Sequence, residues 1–157
     1  MQVTAFWLKW GLRFYPPLFF QRIWVCHISA DFRSMAVKVN KSLLNVNYNR
    51  SIFGGTLFAA ADPFVPVLFH QIFIKKGYKI AVWSKSAQVQ FLKPGHTDMF
   101  FEINITNEDI LEAEQIINAN DGKYAKTFPI NIRNKFGEVC VIVGIEVYIR
   151  NLNPLLP

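Results

Sequence analysis

The sequence predicts an α+β fold in which a curved antiparallel sheet wraps around one long central helix. Two observations carry that expectation. The apolar run from Gly54 to Ile74 is far too long for an ordinary strand of about five or six residues and reads as one buried helix. Strand-like segments dominate the second half of the chain, and most connections between them are short enough for antiparallel pairing. With 157 residues, 52% hydrophobic and 18% charged, the chain has the size of a single domain over 1–157 and is too apolar for intrinsic disorder.

The elements follow in order. Val3, Phe6, Trp7, Trp10 and Phe14 form an apolar stripe about 100° wide on a helix, with Lys9 and Arg13 beside it and Pro16-Pro17 as its stop, so 1–17 is an amphipathic helix and a proline turn. Docking of that stripe on its own domain or a twin subunit is favoured over lying on a membrane, because the polar face holds only two cations. Ile23 to Ser29 and Ser34 to Val39 read as neighbouring strands. Within the central helix, 54–74, Pro63 and Pro66 predict a kink near Asp62. Ile80 to Leu92, Met99 to Ile105, Lys123 to Ile132 and Val139 to Ile149 are strand-like, with a hairpin turn over Asn134-Lys135-Phe136-Gly137. Thr106, with Asp109 three residues on, opens a short helix between the second and third of these.

Charge and cysteine usage narrow the setting. With 17 basic and 11 acidic residues the formal charge is +6, which suits an anionic partner, but the cations are scattered and nucleic-acid binding is not expected. Cys26 and Cys140 lie in apolar strands and read as free buried thiols, in keeping with a reducing, cytoplasmic setting. The uncharged run from Pro63 to Ile74 contains two prolines and falls short of the roughly twenty residues of a membrane span, so no transmembrane segment is expected. Lys9 and Arg13 interrupt the N-terminal apolar stretch, unlike the order of a signal peptide. His27, His70 and His96 show no ligand spacing, so no metal is expected.

Chemistry concentrates on Asp62, a carboxylate inside an apolar helix. Three accounts compete: a paired structural acid, a kink device whose carboxylate accepts hydrogen bonds freed by Pro63, and a base whose pKa is raised by desolvation. Gly54-Gly55 at the helix start offers free N–H groups and the positive dipole end to a polarised carbonyl or an anion. Gly55 and Asp62 are two turns apart, about 10 Å of rise, too far for both to touch one carbonyl carbon. A second, antiparallel copy of the helix would close that gap.

The segment Asn47-Tyr-Asn-Arg-Ser-Ile-Phe53-Gly54-Gly55-Thr-Leu-Phe-Ala-Ala-Ala-Asp62 resembles the signature of hotdog-fold acyl-CoA thioesterases of the phenylacetate-degradation type, in which Asn, His-Gly-Gly and Asp recur at this spacing. Ala81-Val-Trp-Ser-Lys85-Ser-Ala, Phe91-Leu-Lys-Pro94-Gly95 and Val147-Tyr-Ile-Arg150 are similar to an uncharacterised hotdog family placed beside those enzymes. The resemblance implies a homodimer or dimer of dimers with active sites between subunits. It implies Asp62 as base or nucleophile, Gly55 as oxyanion donor, Asn47 as polar positioner, and a substrate of the acyl-CoA class with no cofactor beyond the coenzyme A it carries. Phe53 departs from the pattern, where these enzymes usually carry His.

Further substrate contacts are expected from Gly54, Phe53, Phe58, Trp83, Ser84, Lys85 and Lys93. Lys85 shares strand parity with Trp83 and points toward the helix, with Asp62 as its expected partner, while Ser84 reaches that side only if a bulge intervenes. Lys93 lies where relatives often receive the phosphates of coenzyme A, and Phe58, Phe64, Phe69 and Trp83 are expected around an acyl tunnel for a medium or long chain or an aryl group. The alternative function is a non-catalytic module that binds an acyl group.

Overall fold

The structure, a computed structural model, describes residues 3–119 and 122–152. Two helices, α1 (Ala5–Phe14) and α2 (Pro16–Phe20), lead into strands β1 (Ile23–Ile28) and β2 (Ser34–Val39); α3 (Gly54–Ala61) and α4 (Phe64–Lys75) follow, then β3 (Ile80–Phe91), β4 (Met99–Asn104), α5 (Asn107–Ala119), β5 (Lys123–Asn134) and β6 (Val139–Asn151). The six strands form one antiparallel sheet in the order β1-β2-β4-β5-β6-β3. Alternation sets its inner face: Met35, Val37 and Val39 of β2 and Val141, Val143, Ile145, Val147 and Ile149 of β6 are buried with Phe64, Leu68 and Phe69 of α4. The α+β architecture is the one that the sequence predicts.

The long central helix, Gly54–Lys75, is interrupted where the kink is expected, near Asp62. Asp62 and Pro63 separate α3 from α4, yet both keep right-handed helical dihedrals, so the chain continues in the same sense. Together Gly54–Lys75 is long and apolar enough to cross a membrane by length and composition, but 61% of its most apolar window is buried inside the fold, as befits a core helix. The prolines after α1 follow its end as expected, and Pro16 also opens α2, where a first-turn proline lacks only an N–H that would have no helical partner.

Thr106 and Asp109 close a reciprocal cap at the start of α5. The Thr106 N–H and hydroxyl donate to Asp109 Oδ2 at 3.0 and 2.9 Å, and the Asp109 N–H donates to Thr106 Oγ1 at 3.1 Å. The β5–β6 hairpin turns at Gly137, whose φ of +86° needs a residue without a Cβ. Cys140 is buried and free, as expected, whereas Cys26 is free but exposed, because it follows core-facing Val25 and so falls on the outer face; the register shift between Val25 and His27 leaves His27 exposed as well.

Candidate functional site

A cleft of about 320 Å³ opens beside the N-terminus of α3, lined by Asn47, Gly54, Leu57, Phe91 and the Lys93-Pro94-Gly95 turn, among others. It brings together three of the residues that the sequence singles out, Asn47, Gly54 and Lys93. The loop before the helix is held by Asn47, whose Oδ1 accepts from Asn49 N at 3.0 Å, Ser51 N at 3.2 Å and Ser51 Oγ at 3.1 Å. That network fixes the side chain's orientation and leaves its amide NH₂ without a partner among the described residues. The Ile52 N–H donates to Gly95 O at 2.9 Å, tying the loop to the far wall of the cleft.

Gly54 and Gly55 are the first helical residues, so their N–H groups precede any carbonyl of the helix that could accept them. Both are crowded by rings. A Cβ on Gly54 would lie 3.0 Å from Phe91 Cζ, and one on Gly55 would overlap the ring of Phe53. Phe53 is 57% exposed, yet its backbone is fixed: its N–H donates to Asn45 O at 2.8 Å, and its carbonyl accepts from Thr56 N at 2.9 Å. Where a histidine would present a polar ring, an apolar one lies over Gly55.

Asp62 stands at the other end of α3. It is partly buried, and no side chain or backbone donor among the described residues engages its carboxylate. The expected pairing with Lys85 is not present. Lys85 is exposed and lies 3.3 Å from Glu146 instead, and Ser86 Oγ donates to the same carboxylate at 2.5 Å. The cause is a bulge in β3: its register against β6 shifts between Ser84 and Ser86, which moves Lys85 and Trp83 to the outer face and leaves Ser84 opposite Val147 on the helix side. Trp83 therefore packs on Tyr148, with ring centroids 4.6 Å apart, away from any acyl tunnel. Ser84, whose parity made it doubtful in the sequence, donates its hydroxyl to the Asp62 carbonyl oxygen at 3.1 Å.

The break itself has a different chemistry from the one the sequence suggests. Proline removes a donor, so what it frees is a carbonyl, and a carboxylate cannot satisfy a carbonyl. The Asp62 carbonyl would ordinarily accept from residue 66, which is a proline. Ser84 supplies the missing donor.

Two more expectations change. Phe64 and Phe69 are fully buried core residues, leaving Phe58, 37% exposed on α3, and Phe91 as the rings near the surface of this region. Lys93 reaches the rim of the cleft but lies 2.8 Å from Glu138, a hydrogen bond that raises the lysine above its ordinary pKa and lowers that of the glutamate. Phe91, Leu57 and Ser51 line the cleft without having been singled out; Phe91 is recognisable only through its place before Lys93-Pro94-Gly95, since ring-to-helix contact is a tertiary fact.

Comparison with solved structures places this architecture among hotdog-fold proteins. The chain superposes on a protein of unknown function from Pseudomonas aeruginosa termed a "Probable Thioesterase" with a TM-score of 0.80 at 15% identity, covering 96% of this chain and 98% of that one. It superposes on a thioesterase from Haemophilus influenzae with a TM-score of 0.68 at 13% identity, over 100% and 95% of the two chains. For the PaaI protein of the E. coli phenylacetic acid degradation operon the TM-score is 0.60 at 12% identity, over 96% and 97%. At such identities the likeness is one of fold. No curated protein matches the sequence. Residues 7–149 match the profile of a family described as "Domain of unknown function (DUF4442)", and the chain belongs to that family.

Proposed function

We propose that the protein hydrolyses acyl-CoA thioesters, of medium or long chain or with an aryl acyl group, at sites formed between two copies in a cytoplasmic setting. The observation that carries this reading is the Asp62 carboxylate: partly buried, placed by a helix break and engaged by no donor among the described residues, it is available to a water or a thioester carbonyl. Within one chain Gly55 lies about two turns away, so the N–H that polarises the carbonyl would come from the other copy. The bare edge of β3, a strand of 12 residues with β6 on one side only, supports such pairing, as does the fold shared with thioesterases. Asp62 takes a proton from the water that attacks the carbonyl carbon, the carbonyl oxygen rests on Gly55 N–H with the free Asn47 amide nearby, and collapse breaks the C–S bond, the proton passing to the coenzyme A thiolate as the acid is released; if Asp62 attacks directly, collapse leaves an acyl anhydride on Asp62 that water then hydrolyses to the acid.

One observation favours a second reading, an acyl-binding protein without turnover: the Phe53 ring crowds Gly55, the residue whose N–H is proposed to hold the carbonyl. A turnover screen across acyl-CoA chain lengths, run beside Asp62→Asn, separates the two. Hydrolysis predicts a fall of about 10² or more in kcat with KM little changed. Equal turnover in both proteins sinks the assignment of Asp62, and acyl-CoA binding without turnover selects the second reading. A monomer at micromolar concentration, measured by sedimentation, sinks the shared site.

A further inference from the structure

The aromatic stripe of α1 was expected to be its docking face. It is the opposite. Ala5, Leu8 and Leu12 pack against the core, while Phe6, Trp7 and Phe14 are 58%, 67% and 62% exposed. At about 100° per residue these two stripes are centred roughly 180° apart on the helix. The exposed rings are continuous: Phe6 meets Trp7 and Trp10 at centroid distances of 5.5 and 6.4 Å, Trp10 stacks on Phe14 at 5.9 Å, and Phe14 meets Phe19 of α2 at 6.3 Å. The helix is held down by Ala5, Leu8 and Leu12 and, at the flank of the ridge, by Arg13, whose Nε donates to Val25 O at 2.7 Å. A ridge of rings is thus fixed rigidly outward, not left to collapse onto the domain.

Its charge decides what could cover it. No Asp or Glu precedes Asp31, while Lys9, Arg13 and Arg22 all fall in that segment. Lys9 lies 5.7 Å from the Trp10 ring, Arg13 lies between Trp10 and Trp24 at 4.7 and 4.8 Å, and Lys75 shares a groove with Thr4 and Phe6. A second copy set face to face would bring these cations against their own equivalents with no acid on α1 or α2 to offset them. Aromatic rings beside lysine and arginine stems instead match the boundary between acyl chains and anionic headgroups.

We infer that the ridge formed by α1 and α2 seats this protein on the surface of an anionic phospholipid membrane, with Phe6, Trp7, Phe14 and Phe20 entering the interface and Lys9 and Arg22 meeting headgroup phosphates. The test uses the full chain and vesicles of phosphatidylcholine, alone or with about one third phosphatidylglycerol, read by co-sedimentation and tryptophan emission. The wild type is expected to bind the anionic vesicles, with a blue shift, at least about tenfold more tightly than the neutral ones, and to release on raising the salt. Trp7→Ser with Phe14→Ser removes exposed side chains only and should leave the melting temperature unchanged while weakening binding about tenfold or more. Lys9→Gln with Arg22→Gln should erase the preference for anionic vesicles. The inference is overturned by absence of binding to either vesicle, by equal binding to both, or by a Trp7→Ser, Phe14→Ser protein that binds as the wild type does. It is also overturned if that variant halves the mass in solution, which would make a second copy the occupant.

Discussion

The hydroxyl of Ser84, on the strand after the central helices, donates to the backbone carbonyl of Asp62 at 3.1 Å. This bond joins three local features into one device. Pro66 deprives the Asp62 carbonyl of its helical donor, the bulge between Ser84 and Ser86 brings a hydroxyl round to the helix side, and the break it stabilises is where the proposed catalytic carboxylate emerges. The carboxylate itself stays free because the repair uses the main chain.

Ser84→Ala should strand that carbonyl and lower stability by about 1–2 kcal/mol. Pro66→Ala supplies an N–H at the position the helix would use, so it should recover part of the loss in the Ser84→Ala background. A double-mutant cycle by chemical denaturation measures the coupling and removes the separate effect of losing a proline from the unfolded chain. Purely additive changes would show that the hydroxyl is not the substitute donor.

Asp62→Asn should leave stability within about 0.5 kcal/mol of the wild type, because no buried cation loses a partner. Its thermal shift should be the same with Lys85 or with Lys85→Met, since that lysine pairs with Glu146 on the other face. A large destabilisation by Asp62→Asn that Lys85→Met relieves would contradict the bulge.

Phe53→Ala should uncover Gly55 and tighten acyl-CoA binding or speed its turnover, and Phe53→His should do so while adding a hydrogen-bond donor. Both substitutions fall on an exposed ring, so melting temperatures should change little. Steady-state kinetics and equilibrium binding on the two variants read the effect; loss of binding in both would make the Phe53 ring a ligand contact instead of a cover.

The anchorage of α5 should be acid-sensitive. Burial works against ionisation of Asp109, but hydrogen bonds from Lys126 and from the Thr106 N–H and hydroxyl outweigh it and hold its pKa below the ordinary value; Glu114 is lowered by Lys76 and Tyr78. A folded-state pKa below the unfolded one adds stability that is present above the unfolded value and lost as pH falls through the folded value, here from about pH 4 downward. Thermal melts between neutral pH and pH 2 should fall less steeply for Asp109→Asn than for the wild type across that window.

The sequence by itself determined the layers of this protein. Alternation in Met35, Val37 and Val39 or along β6, the largely apolar content of 54–74, and the Thr106–Asp109 cap are local patterns, and local periodicity states which residues share a face. The Asn47, Gly54 and Lys93 grouping was legible for a similar reason, since motif order and spacing survive folding. What a shared face meets is another matter, and only the tertiary structure decided it. On α1 the conspicuous stripe of rings points outward, because the smaller Ala5, Leu8 and Leu12 fit against the core. On β3 a strict period of two put Lys85 beside Asp62, but pairing with β6 leaves one extra residue there and inverts the side chains before it, Trp83 and Ser84 among them, relative to Ala87 and Val89 after it. A bulge is set by the partner strand's register, which no periodicity within the strand itself records, and so the residue that reaches Asp62 is Ser84.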